Sequence, residues 1–163
     1  MGIAGYASEV VFSDMKKILF LALCLFAISP LCLMAEEIAA TDSRVTFLGR
    51  AEVENGALRF DWPSTYFRVA FKGKALSMRV SDNKRNFYAV WVDMPTSAEP
   101  TRIVEVKGND TIIDLVLPSD VKKSKIKEHQ VVIQKRTEAG CGTTTVFAFI
   151  TDGKFVQAEP LKE

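Results

Sequence analysis

From Arg44 onward the chain alternates apolar and polar positions with a period of two, and nowhere sustains the spacing of an amphipathic helix. Ala57–Asp61 puts Leu58 and Phe60 on one face. Tyr66–Lys72 sets Phe67, Val69 and Phe71 against Tyr66, Arg68 and Lys72. Ala75–Val80 sets Leu76, Met78 and Val80 against Ser77 and Arg79. Asn86–Asp93 sets Phe87, Ala89 and Trp91 against Tyr88, Val90 and Val92, with Trp91 and its face expected in the core. Arg102–Lys107, Thr111–Leu117, His129–Arg136 and Thr144–Thr151 continue the series. β-Branched and aromatic side chains pack well on a pleated surface, so these runs predict strands.

The punctuation agrees. Asn55-Gly56 is the strongest hairpin signal, because both residue types accept positive φ. Lys72-Gly73-Lys74, Asp82-Asn83-Lys84, Gly108-Asn109-Asp110 and Asp152-Gly153 predict further turns. Ser119–Lys127 is the one stretch with a helix start, Ser119 or Asp120 serving as N-cap; its few apolar residues favour a loop or single turn. Short strands at near-regular spacing predict an all-β fold, an antiparallel β-sandwich of jelly-roll type. Its span is residues 44–157, with 36–43 as an N-terminal linker and 158–163, polar and containing Pro160, as the start of another.

The N-terminal part has a different grammar. Lys16-Lys17 after Met15 precede the apolar run Ile18–Ile28, then Ser29-Pro30 and a short exit to Ala35, before Glu36-Glu37. That is the layout of a secretory signal peptide over residues 15–35, cleaved after Ala35 despite bulky Leu33 at the −3 position. The run is short for a membrane-spanning helix and is broken by Pro30. Cys24 and Cys32 each follow a Leu, which argues against a lipoprotein. Residues 1–14 read as an extension upstream of the true start at Met15. The expected product is secreted or periplasmic, without stable membrane insertion.

Removing 35 of the 163 residues leaves 128, enough for one domain. The net charge of +1 gives no basic excess, which argues against a nucleic-acid partner. Of the cysteines only Cys141 remains, so the domain holds itself by its core. Catalytic chemistry is sparse. His129 is the sole histidine, and no serine stands in a Gly-x-Ser-x-Gly or Gly-Asp-Ser setting. One His and one Cys, with carboxylates at no ligand spacing, give no metal site; loop oxygens such as Asp82 or Asp110 are the only calcium candidates and nothing marks them. No phosphate-cradling glycine loop is present, so no cofactor is expected. Lys122, Lys123, Lys125 and Lys127 read as a solvated loop, and Cys141 as a small residue beside a turn.

The aromatic residues carry more information. Sugar rings present apolar C–H faces that stack on flat aromatic side chains, so Trp62, beside Pro63 at a strand end, and Tyr88 are the candidate glycan contacts. Core packing is the competing role, since aromatics bury the largest apolar area.

Three stretches resemble the N-terminal domain of family 2 carbohydrate esterases, the acetylxylan esterase-like enzymes. They are Val45-Thr46-Phe47-Leu48-Gly49-Arg50; Leu58 to Arg68 with its Asp61-Trp62-Pro63 centre, continuing to Phe71-Lys72-Gly73; and Glu128 to Glu138, ending Lys135-Arg136-Thr137-Glu138, followed by Gly142-Thr143-Thr144 and Asp152-Gly153. The chain departs at Ser64, where a Gly is expected, and at Cys141, where the family looks more polar. The resemblance implies a jelly-roll sandwich preceding an SGNH hydrolase domain whose nucleophile lies in a Gly-Asp-Ser motif. That motif is absent, so no catalytic residue carries over. The implied role is a non-catalytic module of a secreted carbohydrate O-deacetylase, with the hydrolase domain and plant polysaccharides such as acetylated xylan or glucomannan as partners. A standalone glycan-binding module is the alternative. An orphaned interface would leave an exposed apolar patch.

Overall fold

The computed structural model describes residues 35–121 and 127–160; the expected upstream extension, all of the expected signal peptide but Ala35, most of the lysine run and residues 161–163 lie outside the described residues. Ten strands are described: β1 Glu36–Ala39, β2 Thr46–Leu48, β3 Glu52–Glu54, β4 Ala57–Phe60, β5 Tyr66–Lys72, β6 Leu76–Val92, β7 Arg102–Val116, β8 His129–Lys135, β9 Thr144–Thr151 and β10 Lys154–Val156. Every pairing is antiparallel. A helical turn, Pro118–Val121, overlaps the start of the Ser119–Lys127 stretch, of which residues 122–126 lie outside the described residues.

Two sheets face each other and share two long strands. In the front sheet β2 and β10 both edge β5, followed by β8, the second half of β6 and the first half of β7. In the back sheet the second half of β7 and the first half of β6 lead to β9, whose other edge takes β1 and β4, with β3 outermost. Phe67, Val69, Phe71, Val131 and Ile133 from the front meet Leu76, Met78, Val80, Val146 and Phe149 from the back, all fully buried. The rings of Phe67 and Phe149 meet edge-on across the layers at 5.5 Å. Burying a side chain of this kind contributes about 1.5–3 kcal/mol. This is the antiparallel sandwich that the period-two pattern predicts.

The shared strands explain a misread signal. Asp82-Asn83-Lys84 and Gly108-Asn109-Asp110 are not hairpin turns but the corners at which β6 and β7 bend together from one sheet into the other. Register shifts lie at Val80/Asp82 and Asp82/Asn86, and Gly108 (φ 89°) and Asp110 (φ 48°) take left-handed backbone opposite them. Bulges of this kind let a strand switch sheets. The Asn55-Gly56 hairpin forms as predicted, at φ 49° and 80°, between β3 and β4.

Two boundaries and one face are corrected. Residues 36–43, expected to be a linker, supply β1 on the edge of β9, with Ile38 and Ala40 buried. On the C-terminal side Ala158 is buried and its N–H donates to Arg44 O, so the fold runs past 157. In β6 the face turned to the core is Tyr88, Val90 and Val92. Ala89 and Trp91 point outward, where Trp91 forms a separate small cluster with Ala89, Val132 and the flank of Tyr66. Its indole N–H donates to Ala98 O at 2.8 Å, so the 93–101 segment folds back over it. Trp91 is buried, as expected, but on the outer side of the sheet.

Candidate functional site

The three stretches that carry the family resemblance, far apart in sequence, meet at one end of the sandwich. Gly49-Arg50 follows β2, the Asp61-Trp62-Pro63-Ser64-Thr65 turn links β4 to β5, and Lys135–Thr143 links β8 to β9. The contacts between them dictate the residue types. Thr65 Oγ1 donates to Trp62 O at 3.0 Å and closes the turn. Gly49 (φ 150°) packs on this threonine so closely that a Cβ would sit 3.0 Å from its Cγ2 and Oγ1. That close approach carries the next residue, Arg50, over the indole of Trp62, with its guanidinium carbon 5.5 Å from the ring centroid. The turn is tied to β8 by Ser64 N–H donating to Lys135 O (3.1 Å) and Lys135 N–H donating to Thr65 O (3.0 Å).

Beneath the turn lies a buried polar network that the sequence signals did not reveal. Asp82 and Asn86 continue the inward parity of β6 at its corner, so their side chains enter the core end. Asp82 accepts from Asn86 Nδ2 (2.7 Å), Thr144 Oγ1 (2.6 Å) and Lys84 N–H (2.9 Å). Asn86 also donates to Gly142 O (3.2 Å) and accepts from Thr137 Oγ1. Lys135 is fully buried, and its ammonium donates to Thr137 O (2.6 Å) and Glu138 O (3.4 Å). Burial holds it below the ordinary lysine value, against the pull of Cys141, Asp82, Asp61 and Glu138 around it. A buried polar group without partners is costly, and a fully satisfied network fixes one geometry. The Lys135-Arg136-Thr137-Glu138 motif is therefore scaffolding: it shapes the 137–143 loop whose Thr143 reaches the site.

At the surface of this assembly is an open groove of about 330 Å³, lined by Arg50, Ala51, Glu52, Arg59, Phe60, Asp61, Trp62 and Thr143. Its size sits at the low end for small-ligand sites. Trp62 is 53% exposed even with Arg50 over its ring. Arg59 is held by Glu52 at 2.7 Å.

The candidate residues fare differently. Trp62 stands at the groove. Tyr88 does not: it is 0% exposed, its phenol donates to Thr144 Oγ1 at 3.0 Å inside the core, and burial pushes its ionisation well above the ordinary tyrosine range. A ring without accessible surface cannot stack on a sugar. Arg50 was not singled out from the sequence, although the Gly-Arg then Trp-Pro order was the signal. His129 is buried against Phe71, its Nδ1 2.6 Å from Asp93 Oδ2. Asp82 has its carboxylate occupied by protein donors, and no group of three or more potential metal ligands occurs among the described residues.

The outer face of the front sheet carries a second feature. Register places Leu48, Tyr66, Gln134, Ala89 and Ile103 in one row across it. Leu48 (43%) and Ile103 (50%) are exposed at its two ends. Beside this row, Arg68 holds Pro160 O at 3.0 Å and Thr46 Oγ1 donates to Glu159 O at 3.4 Å.

Known proteins share this architecture. A family two carbohydrate esterase from Cellvibrio japonicus is similar over 80% of this chain and 37% of its own, at 21% identity and a TM-score of 0.64. One from Clostridium thermocellum, solved with cellohexaose, is similar over 73% of this chain and 34% of its own, at 21% identity and a TM-score of 0.61. The chain thus spans little more than a third of the length of these esterases. The CBM36-1 domain of a multidomain xylanase from the hindgut metagenome of Trinervitermes trinervoides is covered over 100% of its length by 76% of this chain, at 10% identity and a TM-score of 0.52. At these identities the likeness is one of fold. None of the curated proteins matches. The sequence itself goes further: residues 47–160 match the model described as Carbohydrate esterase 2 N-terminal, and the chain belongs to that family.

Proposed function

We propose that this chain is the non-catalytic β-sandwich of a secreted or periplasmic carbohydrate O-deacetylase of acetylxylan esterase type, built to pack against an SGNH hydrolase domain and to form one wall of its sugar cleft. The observation that carries this is the convergence of the three family stretches on one groove with Trp62 exposed at its rim. The chemistry within the chain supports a non-catalytic role, since its one histidine is buried and paired with Asp93. Leu48 and Ile103, exposed at the two ends of the outer row, offer packing contacts for the hydrolase domain. Reading the coding DNA beyond the codon for Glu163 tests the assignment. An open frame reaching a Gly-Asp-Ser motif is expected; a stop followed by unrelated sequence would overturn it.

A second reading, a standalone glycan-binding module, is favoured by the likeness to a domain covered along its whole length. It predicts retardation of the chain by xylan or glucomannan in affinity electrophoresis, lost in Trp62→Ala with the circular dichroism spectrum unchanged. Equal mobility with and without every plant glycan would rule it out.

A further inference from the structure

We propose that the groove beside Trp62 selects a sugar bearing a carboxylate, a hexuronic acid residue of a glycan, with Arg50 as the selecting group; this rests on the glycan-contact reading above and deepens it.

The charges lining the groove differ in how they are engaged. Arg59 and Glu52 neutralise each other at 2.7 Å. Asp61, half-buried, is the second carboxylate of the lining. Arg50 is exposed, and no carboxylate among the described residues lies in ion-pair distance of it. Its guanidinium rests over the Trp62 ring. A cation over an indole face is held by the ring quadrupole while its N–H donors stay available at the edge.

The pair thus offers the two things a uronic acid residue presents. The exposed part of the indole, at 53% of the residue's surface, suits the apolar C–H face of the pyranose. The planar, always-charged guanidinium suits the carboxylate, which it binds through paired N–H groups. Backbone geometry fixes their spacing rather than chance side-chain placement: Gly49 against Thr65, and Thr65 closing the Trp62 turn, set where Arg50 and Trp62 start. A neutral sugar offers the guanidinium no carboxylate.

The test is isothermal titration calorimetry of the full chain at low ionic strength with two probes: a neutral xylooligosaccharide and the same oligosaccharide carrying one glucuronic acid branch. An exposed ion pair contributes up to about 1 kcal/mol, so the acidic probe is expected to bind roughly fivefold more tightly. Arg50→Gln should abolish that preference, bringing the two affinities together. Arg50→Lys, which keeps the charge but not the paired donors, should retain part of it. Raising the salt should erode the preference and spare neutral binding. Equal affinity for both probes, or a preference that survives in Arg50→Gln, overturns the uronate assignment and leaves the glycan-contact reading standing. Binding of neither probe overturns both. Arg50 is exposed and no hydrogen bond of the fold among the described residues depends on it, so its variants test recognition rather than folding.

Discussion

At the scale of single residues, Ser64 explains both a departure from the family and a strain in the fold. It follows Trp62-Pro63, where the resemblance leads one to expect Gly, and its φ is 57°. Left-handed backbone costs an L-residue about 1–2 kcal/mol relative to its ordinary conformation, and Gly escapes this penalty. The hydrogen bond made here uses Ser64 N–H, which Gly retains. Ser64→Gly should therefore stabilise the chain by about 0.5–1 kcal/mol, read as a higher midpoint in urea denaturation; an unchanged or lower midpoint would contradict this account. The same scale shows where sequence reasoning falls short. In the sequence Trp62, beside Pro63 at a strand end, is the better placed stacking surface, and Tyr88 stands opposite the Trp91 face. What separates them is parity along β6, and parity there depends on the corner at Asp82–Asn86, which reads locally as an ordinary turn.

At the scale of elements, β1 shows how polar residues fasten a strand. Asp42 accepts from Arg44 through both carboxylate oxygens, at 2.9 Å each, and Arg44 also holds Glu36 at 2.8 Å. Glu36 in turn accepts from Phe155 N–H at 2.7 Å, linking β1 to β10. The hydrogen bonds from Arg44 hold Asp42 down from its ordinary 3.8 to about 2. A carboxylate lowered in the folded state gives stability that is complete above its unfolded value and is lost as pH falls toward the folded value. The chain should thus lose stability between about pH 4 and pH 2. Asp42→Asn should lower stability at neutral pH and flatten that decline, as followed by thermal melts across the acid range. An unaltered slope would show that the pairing has no energetic weight. None of this was legible beforehand, since Glu36–Ser43 is short and polar and carries no strand pattern, so β1 is held by edge pairing and ion pairs rather than by periodicity. The strands of the two sheet centres were legible, because there one face is core and alternation is enforced. Four expected runs proved to be halves of β6 and β7, since a bend that passes a strand between sheets uses the same Asp, Asn and Gly residues as a hairpin.

At the scale of the whole molecule, the family membership gives the parts a common meaning. Gly-Arg, Trp-Pro and Lys-Arg-Thr-Glu are spaced across the chain, yet each is required by its neighbours at one end of the sandwich. Gly49 yields to Thr65, Thr65 closes the Trp62 turn, and Lys135 holds both that turn and the 137–143 loop. A buried scaffold of this kind carries an exposed Trp and Arg at fixed positions, and the outer row runs from Leu48, two residues before Arg50, across the front sheet to Ile103. The two surfaces have separate roles in this account, glycan contact and domain packing. The most direct test of that division is a two-dimensional 15N–1H NMR titration of the full chain with xylohexaose. The shifts are predicted to gather at the Trp62 indole, Arg50, Asp61 and Thr143 and to leave Ala89 and Ile103 unmoved. Shifts confined to the outer row, or none at all at saturating sugar, would contradict it.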